Sequence, residues 1–208
     1  VEVSTFRRDP RPEGQTSAAD ELLITSDNSY GSPREDAFRR DFTVNALFYD
    51  IADFSVIDYT GASEDLDRRL IRAIGDPDVR FQEDPVRMLR ACEFAARLGF
   101  GIESQTQEAI HRQRKQLAKA SPARLTEEIV QLFKCGSSGA AVQWMLDLGL
   151  RATVNSDDPA YFGGYMMANF AAVIEALGLS AENIRILAKN SFAGSFLADG
   201  EKRTHIAA

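Results

Sequence analysis

Glu83-Asp84-Pro85-Val86-Arg87-Met88-Leu89-Arg90-Ala91-Cys92-Glu93-Phe94-Ala95-Ala96-Arg97-Leu98-Gly99 is the stretch at which the chain changes character. Asp84-Pro85 has the form of a helix N-cap followed by an N1 proline. Met88, Leu89, Cys92, Ala95 and Ala96 supply one apolar helical face, and Gly99 supplies a stop. Downstream the pattern stays helical. Ser121-Pro122 opens a second helix with Leu125, Ile129, Leu132 and Phe133 at helical spacing, and Gly136 ends it. Upstream it is mixed. Ser32-Pro33-Arg34-Glu35 carries the N-cap, N1 proline and N3 acid of a capping box, while the runs 47–51 and 54–59 around Ala52-Asp53 predict two paired strands. Gly75-Asp76-Pro77 marks a turn, so a small α/β part gives way to a helical part near residues 76–84.

The ends read differently. Residues 1–7 alternate as a strand, and 8–31, with Pro10, Pro12 and Gly14, read as a long loop. After Gly149, the alternation of Leu150, Ala152 and Val154 predicts a short strand, 155–159 a polar turn, and 170–177 and 184–187 two helices. The 208 residues carry a net charge of −7 at 44% apolar content, which suits a globular protein and argues against nucleic-acid binding by bulk electrostatics. No apolar run approaches a bilayer span, no signal peptide is evident, and a cytoplasmic protein with no membrane partner is expected. Cys92 and Cys135 are too far apart in sequence for a metal-ligand pair, and reduced thiols are expected. The first residue is Val, as in a chain that starts in mid-protein.

Two clusters have chemistry suited to a nucleotide. Arg39-Arg40-Asp41-Phe42-Thr43 sets two guanidinium forks beside a carboxylate, which match phosphate oxygens and a ribose hydroxyl; a surface ion pair is the default for such a cluster taken alone. Asp84 and Arg87 stand three apart at a helix start, where an acceptor and a donor fork could face a nucleobase edge. Taken alone, Asp84 as a helix cap is the simpler reading, and it would leave Glu83 the freer acceptor.

These segments occur in one order with Asp27-Asn28-Ser29-Tyr30-Gly31, Phe54-Ser55-Val56-Ile57-Asp58-Tyr59, Phe94-Ala95-Ala96-Arg97-Leu98-Gly99-Phe100 and Ser121-Pro122-Ala123-Arg124-Leu125-Thr126-Glu127-Glu128. Residues 1–147 thereby resemble the class II nucleotidyltransferases, the bacterial poly(A) polymerases and tRNA CCA-adding enzymes. The resemblance implies an α+β fold: a truncated nucleotidyltransferase head over 1–82, a short mixed sheet plus helices, then a helical neck over 83–147. It implies ATP as donor, the 3′ end of an mRNA or tRNA as acceptor, and Mg2+ in the complete enzyme. Glu2 matches the third head carboxylate. Arg39, Arg40 and Asp41 match the ribose and triphosphate motif; Glu83, Asp84 and Arg87 match the base-reading motif; Arg90 is a further phosphate or RNA contact. Arg124 and Glu128 match a neck motif that braces the reading helix, and at four apart they could also pair with each other. The Gly-rich turn and Asp-x-Asp strand of the family are not in this sequence, so the chain alone is expected to be inactive. Glu93 stands where poly(A) polymerases usually carry arginine, and Ala62 replaces a glycine expected after Gly61.

Residues 148–208 are similar instead to the last strand and helix of adenosine and adenine deaminases, through Arg151 to Tyr165 and Asn190-Ser191-Phe192. That resemblance implies a short βα fragment, with Asp157 at the position of a Zn2+ ligand and Asp158 at that of a purine contact. One such unit cannot close a barrel, and both aspartates are expected to be inert turn residues with no metal bound. The sequence thus leaves four readings: poly(A) addition first, then CCA addition, a zinc deaminase fragment, and a non-catalytic nucleotide- or RNA-binding remnant or chimera.

Overall fold

The computed structural model describes residues 5–8, 29–156, 161, 163 and 165–207. Glu2, Asp157 and Asp158 lie outside the described residues, as do most of the expected N-terminal strand and loop and residues 157–159 of the expected 155–159 turn. Arg7 forms an antiparallel bridge with Tyr30. Helix α1 (Pro33–Arg39) starts at the capping box read from the sequence: Ser32 Oγ accepts from Glu35 N–H at 3.3 Å, and the Glu35 carboxylate accepts from Ser32 N–H at 2.7 Å. A 3-10 turn (Thr43–Asn45) leads into the hairpin of β1 (Leu47–Tyr49) and β2 (Val56–Asp58), antiparallel with Phe48 opposite Ile57. The paired strands expected there are present, each three residues long.

Asp58 then turns the chain into α2 (Ala62–Asp67). Its carboxylate accepts the backbone N–H groups of Thr60, Gly61, Ala62 and Ser63 at 2.9–3.1 Å, the donors a helix start leaves unsatisfied. Burial opposes ionisation of Asp58, but these hydrogen bonds prevail and lower its pKa to about 2. Gly61 takes φ +80°, a left-handed conformation, whereas Ala62 is fully buried inside α2, so the alanine is accommodated by the helix it begins.

Strand β3 (Leu70–Ile71) pairs in parallel with β4 (Gly101–Ile102), and the crossover between them holds α3 (Pro77–Glu83) and α4 (Arg87–Leu98). The helix expected to begin with Asp84 as its N-cap begins instead at Arg87. Asp84 is the C-cap of α3, a helix the sequence reading did not resolve, because Asp76-Pro77 caps it first: the Asp76 side chain accepts from Asp78 N–H at 2.9 Å. Two capping signals eight residues apart, at Asp76 and Asp84, leave room for two turns of helix and a tight corner. Gly99 ends α4 at φ +65°, as read.

Helices α5 (Ser104–Gln113), α6 (Pro122–Lys134) and α7 (Ser138–Asp147) follow, with a 3-10 segment (Arg114–Lys119) between α5 and α6. Ser121 caps α6 by accepting from Arg124 N–H. The main core gathers Phe42, Ile71, Phe81, Met88, Leu89, Cys92, Phe94, Ile102, Ile110, Leu148 and Leu150, with α4 at its centre. Cys92 and Cys135 are free thiols, and burial pushes Cys92 far above the usual thiol pKa.

Leu150, Ala152 and Val154 do not form the expected strand; residues 150–156 have no regular structure. Their backbone is satisfied by side chains instead of a partner strand: Asn190 Nδ2 donates to Ala152 O at 3.0 Å and Ser191 Oγ to Val154 O at 3.1 Å. The two helices expected beyond are present as α8 (Met166–Leu177) and α9 (Ala181–Gly194), followed by α10 (Asp199–Ala207). Leu179 and Leu187 join Leu132, Ala141, Val142 and Leu146 in a second core. No helix among the described residues is long and apolar enough to cross a membrane.

Two substitutions test this packing. Asp58→Asn should cost about 1 kcal/mol near neutral pH, the scale of a lost helix cap. Because the folded pKa is depressed, the carboxylate's contribution is complete above pH 4 and is lost as pH falls toward 2; denaturant titrations should show the wild-type advantage shrinking over that window. A Cβ on Gly139 would overlap the carbonyl oxygen of Leu177, so Gly139→Ala should lower the thermal midpoint although alanine is the better helix former. An unchanged or raised midpoint would show that α8 does not rest on α7 in this way.

Candidate nucleotide-binding site

Arg39 and Arg40 end α1, where Asp36, one turn earlier, holds both. Its Oδ1 accepts from Arg39 Nη2 at 3.0 Å, and its Oδ2 from Arg40 Nε and Nη2 at 3.1 and 2.9 Å. Arg40 also donates to Asn45 O at 2.6 Å and lies over the Phe48 ring. Asp36 was not singled out from the sequence, although its spacing of three and four to the arginines is that of helix ion pairs. Its pKa is lowered: burial would raise it, but the hydrogen bonds from Arg39, Arg7 N–H and Arg40 outweigh that.

Asp41 is buried, unlike a surface ion-pair member. It accepts from Phe42 N–H at 2.8 Å, Asn45 Nδ2 at 3.1 Å and Arg90 Nε at 2.6 Å. Burial works to raise its pKa, but Arg90 and these hydrogen bonds hold it below the usual carboxylate range. The segment is fixed from below by antiparallel pairing: Thr43 N–H donates to Arg72 O and Ile74 N–H to Asp41 O, both at 3.0 Å.

The corner between α3 and α4 carries the base-reading candidates. Glu83 is not the freer acceptor: it is buried, and its Oε2 accepts from Arg80 Nη1 at 2.9 Å and Arg87 Nη1 at 3.2 Å. Asp84 Oδ1 accepts from Val86 N–H at 3.3 Å, while its Oδ2 accepts from Arg124 Nη2 at 2.6 Å and lies 3.9 Å from Arg87 Nε. Arg87 Nη1 also donates to Arg80 O at 3.1 Å. Arg124 and Glu128 therefore reach from α6 to separate partners: Arg124 holds Asp84, and Glu128 accepts from Arg90 Nη1 at 3.1 Å. Arg90, the expected phosphate or RNA contact, joins Asp41 to Glu128. Glu93 is raised in pKa by burial, against Arg97 and Arg90, and its carboxylate lies 3.4 Å from Arg97 Nε.

The structure thus brings Arg39, Arg40, Asp41, Glu83, Asp84, Arg87, Arg90, Arg124 and Glu128 into one wall of three ion-pair groups: Arg39 and Arg40 on Asp36, Arg90 between Asp41 and Glu128, and Arg87 and Arg124 on Glu83 and Asp84. Positive and negative groups are nearly balanced there, so the wall can recognise a ligand by directed hydrogen bonds more than by net charge. Arg80, which the sequence reading missed, belongs to it: Nη2 donates to Arg39 O and Arg40 O at 2.5 and 2.6 Å. No local pattern announces a contact between residues 40 apart. The carboxylates of this wall do not fit a metal cage, since Asp36, Asp41, Glu83 and Asp84 are each held by arginine. Among the described residues no group of three or more His, Cys, Asp or Glu is placed to hold a metal ion.

Two family models match the chain: the poly A polymerase head domain over residues 1–72, and the probable RNA and SrmB-binding site of polymerase A over 99–155. Poly(A) polymerase I of Escherichia coli O6:H1 is 46% identical over 145 residues, which are 65% of this chain and 30% of that protein. A CCA-adding enzyme of Bacillus velezensis is 38% identical over 149 residues, 72% of this chain and 36% of that protein. The chain thus spans about a third of the length of these relatives. An adenine deaminase of Caulobacter vibrioides is 50% identical over 101 residues, 43% of this chain and 29% of that protein. This span and that of the E. coli polymerase together exceed the chain, so the two overlap. Among solved structures, the CCA-adding enzyme of Bacillus stearothermophilus in complex with CTP is 27% identical with a TM-score of 0.60, over 98% of this chain and 49% of that one. Over the two thirds of its length that the polymerase matches cover, the chain belongs to the nucleotidyltransferase family of the poly(A) polymerases and CCA-adding enzymes.

Proposed function

We propose that this chain is the nucleotide-reading and RNA-side portion of an enzyme that adds AMP from ATP to the 3′ end of an RNA. In this reading residues 1–82 are part of the head, 83–147 the neck and RNA-binding region, and 148–208 an added tail. The observation that carries it is the Asp84–Arg87 pair at the α3–α4 corner, held from α6 by Arg124 at 2.6 Å. A carboxylate acceptor beside a guanidinium donor matches the amino group and ring nitrogen that adenine and cytosine present on their pairing edges. It mismatches guanine and uracil, whose edges are reversed. Asp84 keeps acceptor capacity after taking hydrogen bonds from Arg124 and from Val86 N–H, since an ionised carboxylate offers about four lone-pair sites.

Arg39 and Arg40 are the candidate phosphate ligands, and the exposed side of Arg40 is where a triphosphate can reach. Asp41 and Arg90 set the spacing between that segment and α4. Mg2+ would supply charge neutralisation of the attacking and leaving oxygens in the complete enzyme. Glu2, the one carboxylate of this sequence matched to that role, lies outside the described residues, and no step is derived through the metal.

CCA addition is the second reading, favoured by the structural likeness to a CTP complex and by an edge chemistry that admits cytosine. Poly(A) addition stands first because the sequence identity to the poly(A) polymerase is higher. The deaminase reading stands behind both: its implied residues Asp157 and Asp158 lie outside the described residues, and α8 and α9 pack as helices on α7.

Arg87→Ala should weaken ATP binding by this chain at least tenfold in equilibrium dialysis, the scale of a lost hydrogen bond to a charged group. A version extended at its N-terminus with a Gly-rich turn and an Asp-x-Asp strand should add AMP to an RNA 3′ end without a template. No incorporation would sink the reading, and incorporation of CMP before AMP would move it to CCA addition.

A further inference from the structure

We propose that Arg80 is a positioning residue that sets base selectivity by tying the triphosphate segment to the base-reading corner. The inference rests on the nucleotide reading above. Arg80 is on α3 and buried, and its guanidinium faces two ways. Through Nη2 it donates to the carbonyls of Arg39 and Arg40 at 2.5 and 2.6 Å, at the end of α1 where helix carbonyls lack intrahelical donors and the macrodipole favours a cation. Through Nη1 it donates to Glu83 Oε2 at 2.9 Å. The same oxygen accepts from Arg87 Nη1 at 3.2 Å, and Arg87 Nη1 also takes Arg80 O at 3.1 Å.

Arg87 is therefore aimed by two acceptors, Glu83 and the Arg80 carbonyl, and Arg80 controls both. Its side chain fixes Glu83, and its backbone is the second acceptor. The fork that holds Glu83 also grips the backbone where Arg39 and Arg40 leave α1. This guanidinium ties the two segments to each other alongside the Asp41–Arg90 link, so the distance between the phosphate ligands and the base-reading pair depends in part on it. A base edge is recognised only if that distance holds while the phosphates are bound, because a misplaced donor accepts the wrong edge as readily as the right one.

Lysine cannot replace this fork. An ammonium is a point charge on a flexible stem, and it can neutralise Glu83 or cap the α1 carbonyls but cannot span both in a fixed plane. The test measures dissociation constants of ATP and GTP, which present opposite pairing edges, for the full chain and two variants, with thermal midpoints alongside. Arg80→Lys should keep the midpoint within a few degrees while reducing the preference for ATP over GTP by about tenfold. Glu83→Gln breaks the same link from its other end and should reduce the preference similarly, which keeps the test decisive if Arg80→Lys does not fold. A preference equal to wild type in a folded variant, or equal weakening of ATP and GTP, overturns the positioning role while leaving the nucleotide reading intact. If the unmodified chain binds ATP no better than GTP, the base-reading proposal fails and this inference falls with it.

Discussion

The carboxylate of Glu83, buried between Arg80 and Arg87, is the interaction on which the arrangement of this molecule turns. A buried ion pair contributes little net stability compared with apolar groups of the same size, because desolvation cancels most of the attraction. Removing one partner is a different matter: it leaves a charge stranded and costs about 3–5 kcal/mol. A triad of this kind therefore acts mainly by excluding other arrangements. With Glu83 in place, α3 ends where it does, Asp84 caps it, and α4 can begin only after the corner at Pro85 and Val86.

Helix α4 shows how packing and polar geometry are combined. Met88, Leu89, Ala91, Cys92, Phe94 and Ala95 are buried in the main core, and the same twelve-residue helix buries Arg87 and Glu93. The apolar face fixes the helix against β3, β4 and α7, so its polar side chains project from a rigid support. Arg90 then reaches Asp41 on one side and Glu128 on the other, joining three segments that are distant in sequence. Burial favours neutral groups, yet Asp41 is held ionised by Arg90, whose own pKa is raised in return despite the desolvation that opposes it.

Features governed by near neighbours were legible in the sequence. The capping box at Ser32, the cap at Ser121, the left-handed stops at Gly99 and Gly136 and the hairpin around Ala52-Asp53 each depend on a few adjacent residues, and each is present. What escaped depends on contacts across the chain. Strands β3 and β4 are two residues long and 31 residues apart, too short for any period to show. The grip of Arg80 on residues 39 and 40 has no local signature, and the separate partners of Arg124 and Glu128 override the helix spacing that would pair them. The candidate residues could be named from their motifs, but which carboxylate each arginine meets is decided by the fold.

The tail shows why likeness of fold and likeness of sequence can point in different directions. Alternating apolar residues at 150–154 predict a strand only if a partner strand is available. Here Asn190 and Ser191 on α9 donate to its carbonyls, and the segment settles without regular structure against a helix. What α7 requires of its covering is apolar side chains at helical spacing and a close approach at Gly139, and Leu179, Leu187 and the Leu177 carbonyl meet those conditions. Such requirements are generic to helix packing. They allow a sequence with deaminase-like identity to occupy a helical layer that superposes on a CCA-adding enzyme over nearly the whole chain. The packing therefore says where the tail sits, whereas the directed polar groups at the α3–α4 corner are of a kind that helix packing alone does not produce.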